Sequence, residues 1–149
     1  MNTIAPFIRQ ATKEDVPLMF EIRVSVRENS TTRERLYALG INDEAVANSI
    51  TNEGRGWIAE ENGQAVGFSM ADLRDGSIFA LFVRPEFERR GYGGALLAAA
   101  VRWLLSRNFK QLWLAVGRDT RAHRFYLKRG WVETGVIENG DVELRWSCS

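Results

Sequence analysis

Apolar residues in this chain recur every three or four positions in some stretches and crowd together or alternate in others, and these changes of period predict its elements. Pro6-Phe7-Ile8-Arg9-Gln10 reads as a first strand. Thr12-x-x-Asp15 has the form of a capping box, with Asp where Glu or Gln is usual. Pro17 falls in the tolerant first turns of the helix it opens. Leu18, Ile22 and Val26 then recur at helical spacing until Asn29-Ser30-Thr31-Thr32 breaks the pattern. A looser helical stretch, Arg33 to Leu39, ends at Gly40. Asn42 caps another helix, with Asp43 and Glu44 in its first turn.

From Trp57 the period shortens. Trp57 to Glu61 and Gln64 to Met70 flank Asn62-Gly63, the strongest short hairpin signal. Asp75-Gly76 marks a second tight turn into Ile78 to Val83, so three consecutive strands are antiparallel. A helix over Gly93 to Asn108, about 24 Å long at 1.5 Å per residue, crosses to Leu112 to Val116. Both flanking strands are continuously apolar, as parallel neighbours buried on both faces are. Trp131 to Ile137 and Val142 to Trp146 form a last hairpin around Asn139-Gly140. Written coarsely, the order is β-α-α-β-β-β-α-β-α-β-β, an α/β fold with a single mixed sheet.

The chemistry concentrates where the strand ending at Val83 enters Arg84-Pro85-Glu86-Phe87-Glu88-Arg89-Arg90-Gly91-Tyr92-Gly93-Gly94. A helix start exposes free N–H groups and the positive end of the helix dipole, which attract phosphate oxygens. Glycines let the backbone approach an anion without Cβ interference, and Arg89 and Arg90 add positive charge. No Gly-Lys-Ser/Thr ends the turn, so it is not a P-loop. It also lies too late in the chain for a dinucleotide fingerprint.

The segment resembles the cofactor motif of the GNAT-type N-acetyltransferases, Gln/Arg-x-x-Gly-x-Gly/Ala after a strand ending in Val-x-Pro. Here it reads Glu88-Arg89-Arg90-Gly91-Tyr92-Gly93, with Glu88 where the family prefers Gln or Arg. Asp119-Thr120-Arg121-Ala122-His123-Arg124-Phe125-Tyr126-Leu127-Lys128-Arg129-Gly130-Trp131 resembles the family's next element, with Asp119 for Asn and Trp131 for Phe. The resemblance is close over Trp57 to Trp146 and holds in outline before that.

It implies a sheet that splays into a V-shaped acetyl-CoA cleft, with the cosubstrate held by Leu81, Phe82, Val83, Glu88, Arg89, Arg90, Gly91, Tyr92, Gly93, Gly94, Asp119, Ala122 and Tyr126. The backbone N–H near Phe82 would polarise the thioester, and Tyr126 would protonate the departing thiolate. Arg121 and Arg124 either approach the CoA 3′-phosphate or sit in solvent. Many relatives carry a basic glutamate on the strand ending at Val83, but this one has no carboxylate. Candidates for the base elsewhere are Asp72, Asp75, Glu21, Glu28 and Asp141. The acceptor is expected between Val24 to Leu39 and the edges near Asp72 and Asp141, where the acids favour a cationic small amine over a protein. A non-catalytic acyl-CoA sensor with the same cleft, and a phosphate-binding α/β protein, are the rival readings.

Bulk properties narrow the field. With 149 residues, 26% charged and 45% hydrophobic, the chain reads as one globular domain spanning 1–149. A net charge of +1 gives no case for nucleic acid or an anionic membrane. One cysteine, Cys148, cannot form an internal disulfide, which fits the cytoplasm. No targeting segment or membrane-length apolar run is evident. No metal spacing or Gly-x-Ser-x-Gly elbow occurs, His123 is expected on a solvated helix face, and a homodimer is left open.

Overall fold

The computed structural model describes residues 6–148. Residues 1–5, on which the reading of a chain without a targeting segment partly rests, and residue 149 lie outside the described residues. Strand β1 (Phe7–Gln10) leads through a 3₁₀ turn (Lys13–Asp15) to α1 (Val16–Ser25), α2 (Arg33–Ala38) and α3 (Asp43–Thr51). Strands β2 (Gly54–Glu61), β3 (Gln64–Asp72) and β4 (Ser77–Val83) follow, then α4 (Tyr92–Ser106), β5 (Gln111–Val116), α5 (Arg121–Lys128), β6 (Val132–Val136) and β7 (Val142–Ser147). The coarse order gains one helix before β2, because Thr32 and Asn42 each cap their own. Their side chains accept from the N–H groups of Arg35 (3.1 Å) and Ala45 (2.9 Å).

All strands join one sheet in the order β1-β2-β3-β4-β5-β7-β6, with β4 and β5 its parallel neighbours. The Asn62-Gly63 hairpin has φ of 52° and 77°, as a type I′ turn requires. On one face α1 to α3 bury Met19, Phe20, Leu36 and Ile50 against Ile58, Phe68 and Met70. On the other, α4 sets Leu96, Leu97 and Leu104 against Ile78, Leu112 and Leu144. The Ser69 hydroxyl donates to the Leu96 carbonyl at 3.1 Å and ties α4 to β3. No helix among the described residues is long and apolar enough to cross a membrane.

The β3–β4 ladder contains the irregularity that shapes the molecule. Met70 pairs with Ala80 but Ala71 with Ile78, leaving Phe79 as the extra residue of a β-bulge. A bulge bends its strand and disrupts local pairing. Before it, Ser77 pairs with Trp113 of β5, and that is the single register pair between the two strands. Beyond it β4 keeps its ladder to β3, β5 keeps its ladder to β7, and the two halves of the sheet diverge.

At the N-terminal end, the Arg9 guanidinium makes two 2.8 Å hydrogen bonds to the Asp15 carboxylate, which also accepts from the Thr12 N–H at 2.7 Å. The Arg9 bonds, above all, hold the Asp15 carboxyl below the usual carboxylate range. A group whose folded pKa is depressed stabilises the fold above its unfolded pKa, and that contribution is lost as pH falls through the folded value. Asp15→Asn should therefore lower Tm at pH 7 and flatten the decline of Tm below about pH 4. Circular dichroism melts across that range check it, and an acid limb identical to wild type would count against the pair.

Candidate active site

A cavity of about 1360 Å³ follows the opening between β4 and β5 and continues beneath α1 and α2. That exceeds the roughly 300–1,000 Å³ typical of one small-ligand site, leaving room for two reactants. Leu81, Phe82 and Val83 line it from β4, Ala115 and Val116 from β5.

The register says which amides face the opening. Arg84 N–H donates to Val66 O at 2.8 Å, and the pairs Val83–Gly67, Phe82–Phe68 and Leu81–Ser69 continue that register. Antiparallel alternation sends the Phe82 N–H toward β3 as well, and the N–H groups of Leu81 and Val83 into the gap. The donors near Phe82 are thus those of its two neighbours. Buried amides without acceptors are costly, so this edge is suited to receive an extended ligand. The Phe82 ring lies on the α1 side against Phe68, their centroids 5.6 Å apart.

The glycine turn forms the next wall. Gly91 is the N-cap of α4 at φ 89°, a conformation that glycine adopts without strain. Glu88, Arg89, Gly91, Gly93 and Gly94 line the cavity. The side chains of Arg90 and Tyr92, both expected at the cofactor, turn away instead. Arg90 pairs with Glu61 at 3.1 Å and lies over the Phe87 ring. The Tyr92 hydroxyl donates to Glu61 at 2.6 Å from a buried ring. Only their main-chain groups remain available to the turn.

Helix α5 supplies the opposite wall with Thr120, Arg121, Ala122, Phe125, Tyr126 and Arg129. Thr120 caps it, accepting from His123 N–H at 3.1 Å and donating to Gly117 O at 2.8 Å. Asp119, expected in the site, lies outside the cavity in an exposed left-handed turn, because its N–H is engaged by His123 Nδ1 at 3.0 Å. That bond also buries His123, contrary to the solvated position expected for it. Its Nε2 is 3.2 Å from a Glu133 oxygen without the alignment of a hydrogen bond. Tyr126 packs edge-on between Phe125 and Trp131, and burial pushes its phenol above the ordinary tyrosine range. It stays protonated at every physiological pH.

Two carboxylates converge on the start of α5. Glu88 forms an ion pair with Arg121, and Glu28, from the segment between α1 and α2, accepts from the Arg121 N–H at 2.9 Å. Glu88 is therefore neutralised by a residue across the opening. Arg121 faces the cavity, whereas Arg124 donates to Asp119 O at 2.8 Å outside it. Among the acids considered as a base, Asp72 is held ionised by Arg74 at 2.8 Å and Asp75 accepts from Ser77 N–H. Neither lines the cavity, nor does Glu21, whereas Glu28 and Asp141 do. Sequence reasoning missed Arg23, which lies over the Phe82 ring at 4.5 Å, and Arg129, which stacks on Phe125 at 3.7 Å. It also passed over Thr120, whose hydroxyl type was a legible cap signal.

Solved structures share this fold. The PaiA N-acetyltransferase of Thermoplasma acidophilum, solved in complex with coenzyme A, matches with a TM-score of 0.84 at 17% identity, over 97% of this chain and 100% of that one. The ribosomal-protein-S18-alanine N-acetyltransferase of Escherichia coli matches at 0.71 and 19%, over 95% and 91%. The model of the acetyltransferase (GNAT) family matches residues 16–131, and the chain belongs to that family. It is 42% identical over 79 residues to an uncharacterized N-acetyltransferase of Archaeoglobus fulgidus, covering 46% of this chain and 54% of that protein. Over 81 residues it is 28% identical to the ribosomal protein bS18-alanine N-acetyltransferase of Haemophilus influenzae, covering 53% and 56%. The matched region spans about half the length of these curated relatives.

A Cβ at Gly91 would meet nothing nearer than a Pro6 carbon at 4.0 Å, so only backbone strain opposes a side chain there. Gly91→Ala should cost about 1–2 kcal/mol in urea unfolding. Gly91→Asn should cost less, since Asn tolerates the left-handed region. Equal losses for both would mean that crowding, not φ, sets the requirement.

Proposed function

We propose that this chain is an N-acetyltransferase that moves the acetyl group of acetyl-coenzyme A directly to a primary amine. The observation that carries the reading is the convergence, on one cavity, of two unpartnered β4 amides, a glycine-started helix and a buried, protonated phenol. The α4 start at Gly91, Gly93 and Gly94, with Arg89 beside it, suits a pyrophosphate. Arg129, stacked on Phe125, offers further positive charge from the opposite wall, where Arg121 is already paired with Glu88.

The Leu81 and Val83 amides are placed to accept an extended pantetheine arm as a strand would be accepted. One of them would hold the thioester oxygen as it gains negative charge, the interaction that contributes most to acyl transfer. Tyr126 then gives its proton to the sulfur as the C–S bond breaks and the C–N bond forms, and recovers one from solvent. With no carboxylate on β4, the amine enters neutral, having lost its ammonium proton to water. The nitrogen releases a second proton to water once the C–N bond has formed, which balances the one that Tyr126 takes back. No covalent enzyme intermediate is needed. The acceptor is read as a small amine, although the names of the bacterial relatives make an N-terminal alanine peptide a necessary control.

Tyr126→Phe should lower kcat on the order of 10²-fold, the lower range for a general acid, while leaving the affinity for acetyl-CoA nearly unchanged. Thiol release measured across pH checks this, and a rate equal to wild type at every pH would remove Tyr126 from the reaction. A protein that binds acetyl-CoA but releases no thiol with any amine would be the non-catalytic sensor.

A further inference from the structure

Resting on the transferase reading above, we propose that the acceptor is a small amine carrying its own carboxylate, of the amino-acid kind, and that Arg23 receives that carboxylate beside Phe82. Helix α1 packs across β3 and β4 on the face away from α4 and brings the Arg23 guanidinium to 4.5 Å from the Phe82 ring centroid. Phe82 in turn lies between the two amides that face the gap. An anchor at Arg23 therefore sits against the residue that those two amides flank, which suits an amine and a carboxylate only a few bonds apart.

Arg23 lacks the partner its position demands. One nitrogen donates to Asn29 O at 3.1 Å, which fixes the side chain and leaves most of its five N–H donors free. No carboxylate lies within ion-pair distance of it among the described residues. Burial alone perturbs it, lowering its pKa from the ordinary arginine value. A half-buried guanidinium without an anion is an uncompensated desolvation, and a ligand carboxylate would complete it in bidentate fashion.

The surrounding charges agree. Arg27 and Arg35, from the segment after α1 and from α2, line the same cavity. Glu28 is engaged with the Arg121 amide. Of the two acids expected to attract a cation, Asp72 is paired with Arg74 outside the cavity, while Asp141 lines it and accepts from the Asn139 side chain at 3.3 Å. A polyamine entering here would face three guanidinium groups, whereas an amino acid would meet complementary charge.

The test begins with calorimetric titration of CoA into the protein, then of matched pairs (glycine, alanine and glutamate against their amides and methyl esters), spermidine and an N-terminal alanine peptide into the CoA complex. Acetylation of the same panel is measured in parallel. Free acids should exceed their amides by about tenfold or more in affinity and in kcat/KM. Arg23→Gln should erase that difference, mainly through KM, with CoA affinity unchanged, and Arg23→Lys should restore part of it. Amides, spermidine or the peptide matching the free acids would overturn the proposal. So would an Arg23→Gln variant that weakens acid and amide equally, since the arginine would then only tether the Asn29 segment. Failure of CoA itself to bind would instead remove the transferase reading on which the proposal rests. Where CoA binds without turnover, the affinity difference between acid and amide decides alone.

Discussion

The molecule depends on a ladder that stops. Parallel strands β4 and β5 share one register pair, Ser77 with Trp113, and then part. Hydrogen bonding favours continuing the ladder, so something must oppose it. The opposition is local, a bulge at Phe79 that turns β4, while six register pairs hold β5 to β7. Each half of the sheet is satisfied on its outer side, and α4 spans both from below with Ser69 as a fixed point. The opening thus follows from the register and pairing of the strands themselves.

Charge around the opening is arranged in pairs that cross it. Glu88 from the glycine turn meets Arg121 of α5, and Glu28 from the opposite layer meets the same residue's amide. These bonds join three elements that the sheet leaves apart. Because they lie partly in solvent, each contributes modestly and is screened by salt. Elsewhere on the turn, Glu61 draws the Arg90 and Tyr92 side chains outward and leaves the main chain of the helix start uncovered. One acidic residue on β2 thereby decides which parts of the motif face inward.

Much of this architecture was legible because its signals are short-range. Asn62-Gly63, Asn42 and the apolar runs each specify a local conformation from neighbouring residues, and together they imply the succession of strands, whereas Thr32 reads as a helix breaker and not as the cap it forms. The glycine turn was legible for the same reason. What could not be read depends on partners distant in sequence. Nothing near Arg23 announces Phe82, nothing near Tyr92 announces Glu61, and nothing local announces that the Asp119 N–H, in a turn with φ of 63°, donates to a buried His123. The bulge was hidden for a different reason. Residues 78–83 are apolar throughout, so no alternation exists in which a missed step would show.

That single irregular step has an effect on side-chain parity as well as on strand direction. Ile78 belongs to the α4 layer, yet Ala80 and Phe82 belong to the α1 layer, although two and four residues onward should share its face. Seven residues of β4 oppose six of β3, and the odd count inverts everything downstream. A strand shortened or lengthened by one residue between Ser77 and Val83 would exchange the two sets, sending Phe82 into the interior and Leu81 to the reactant side. The identity of the wall that an incoming molecule meets is therefore written in the length of β4 as much as in its composition.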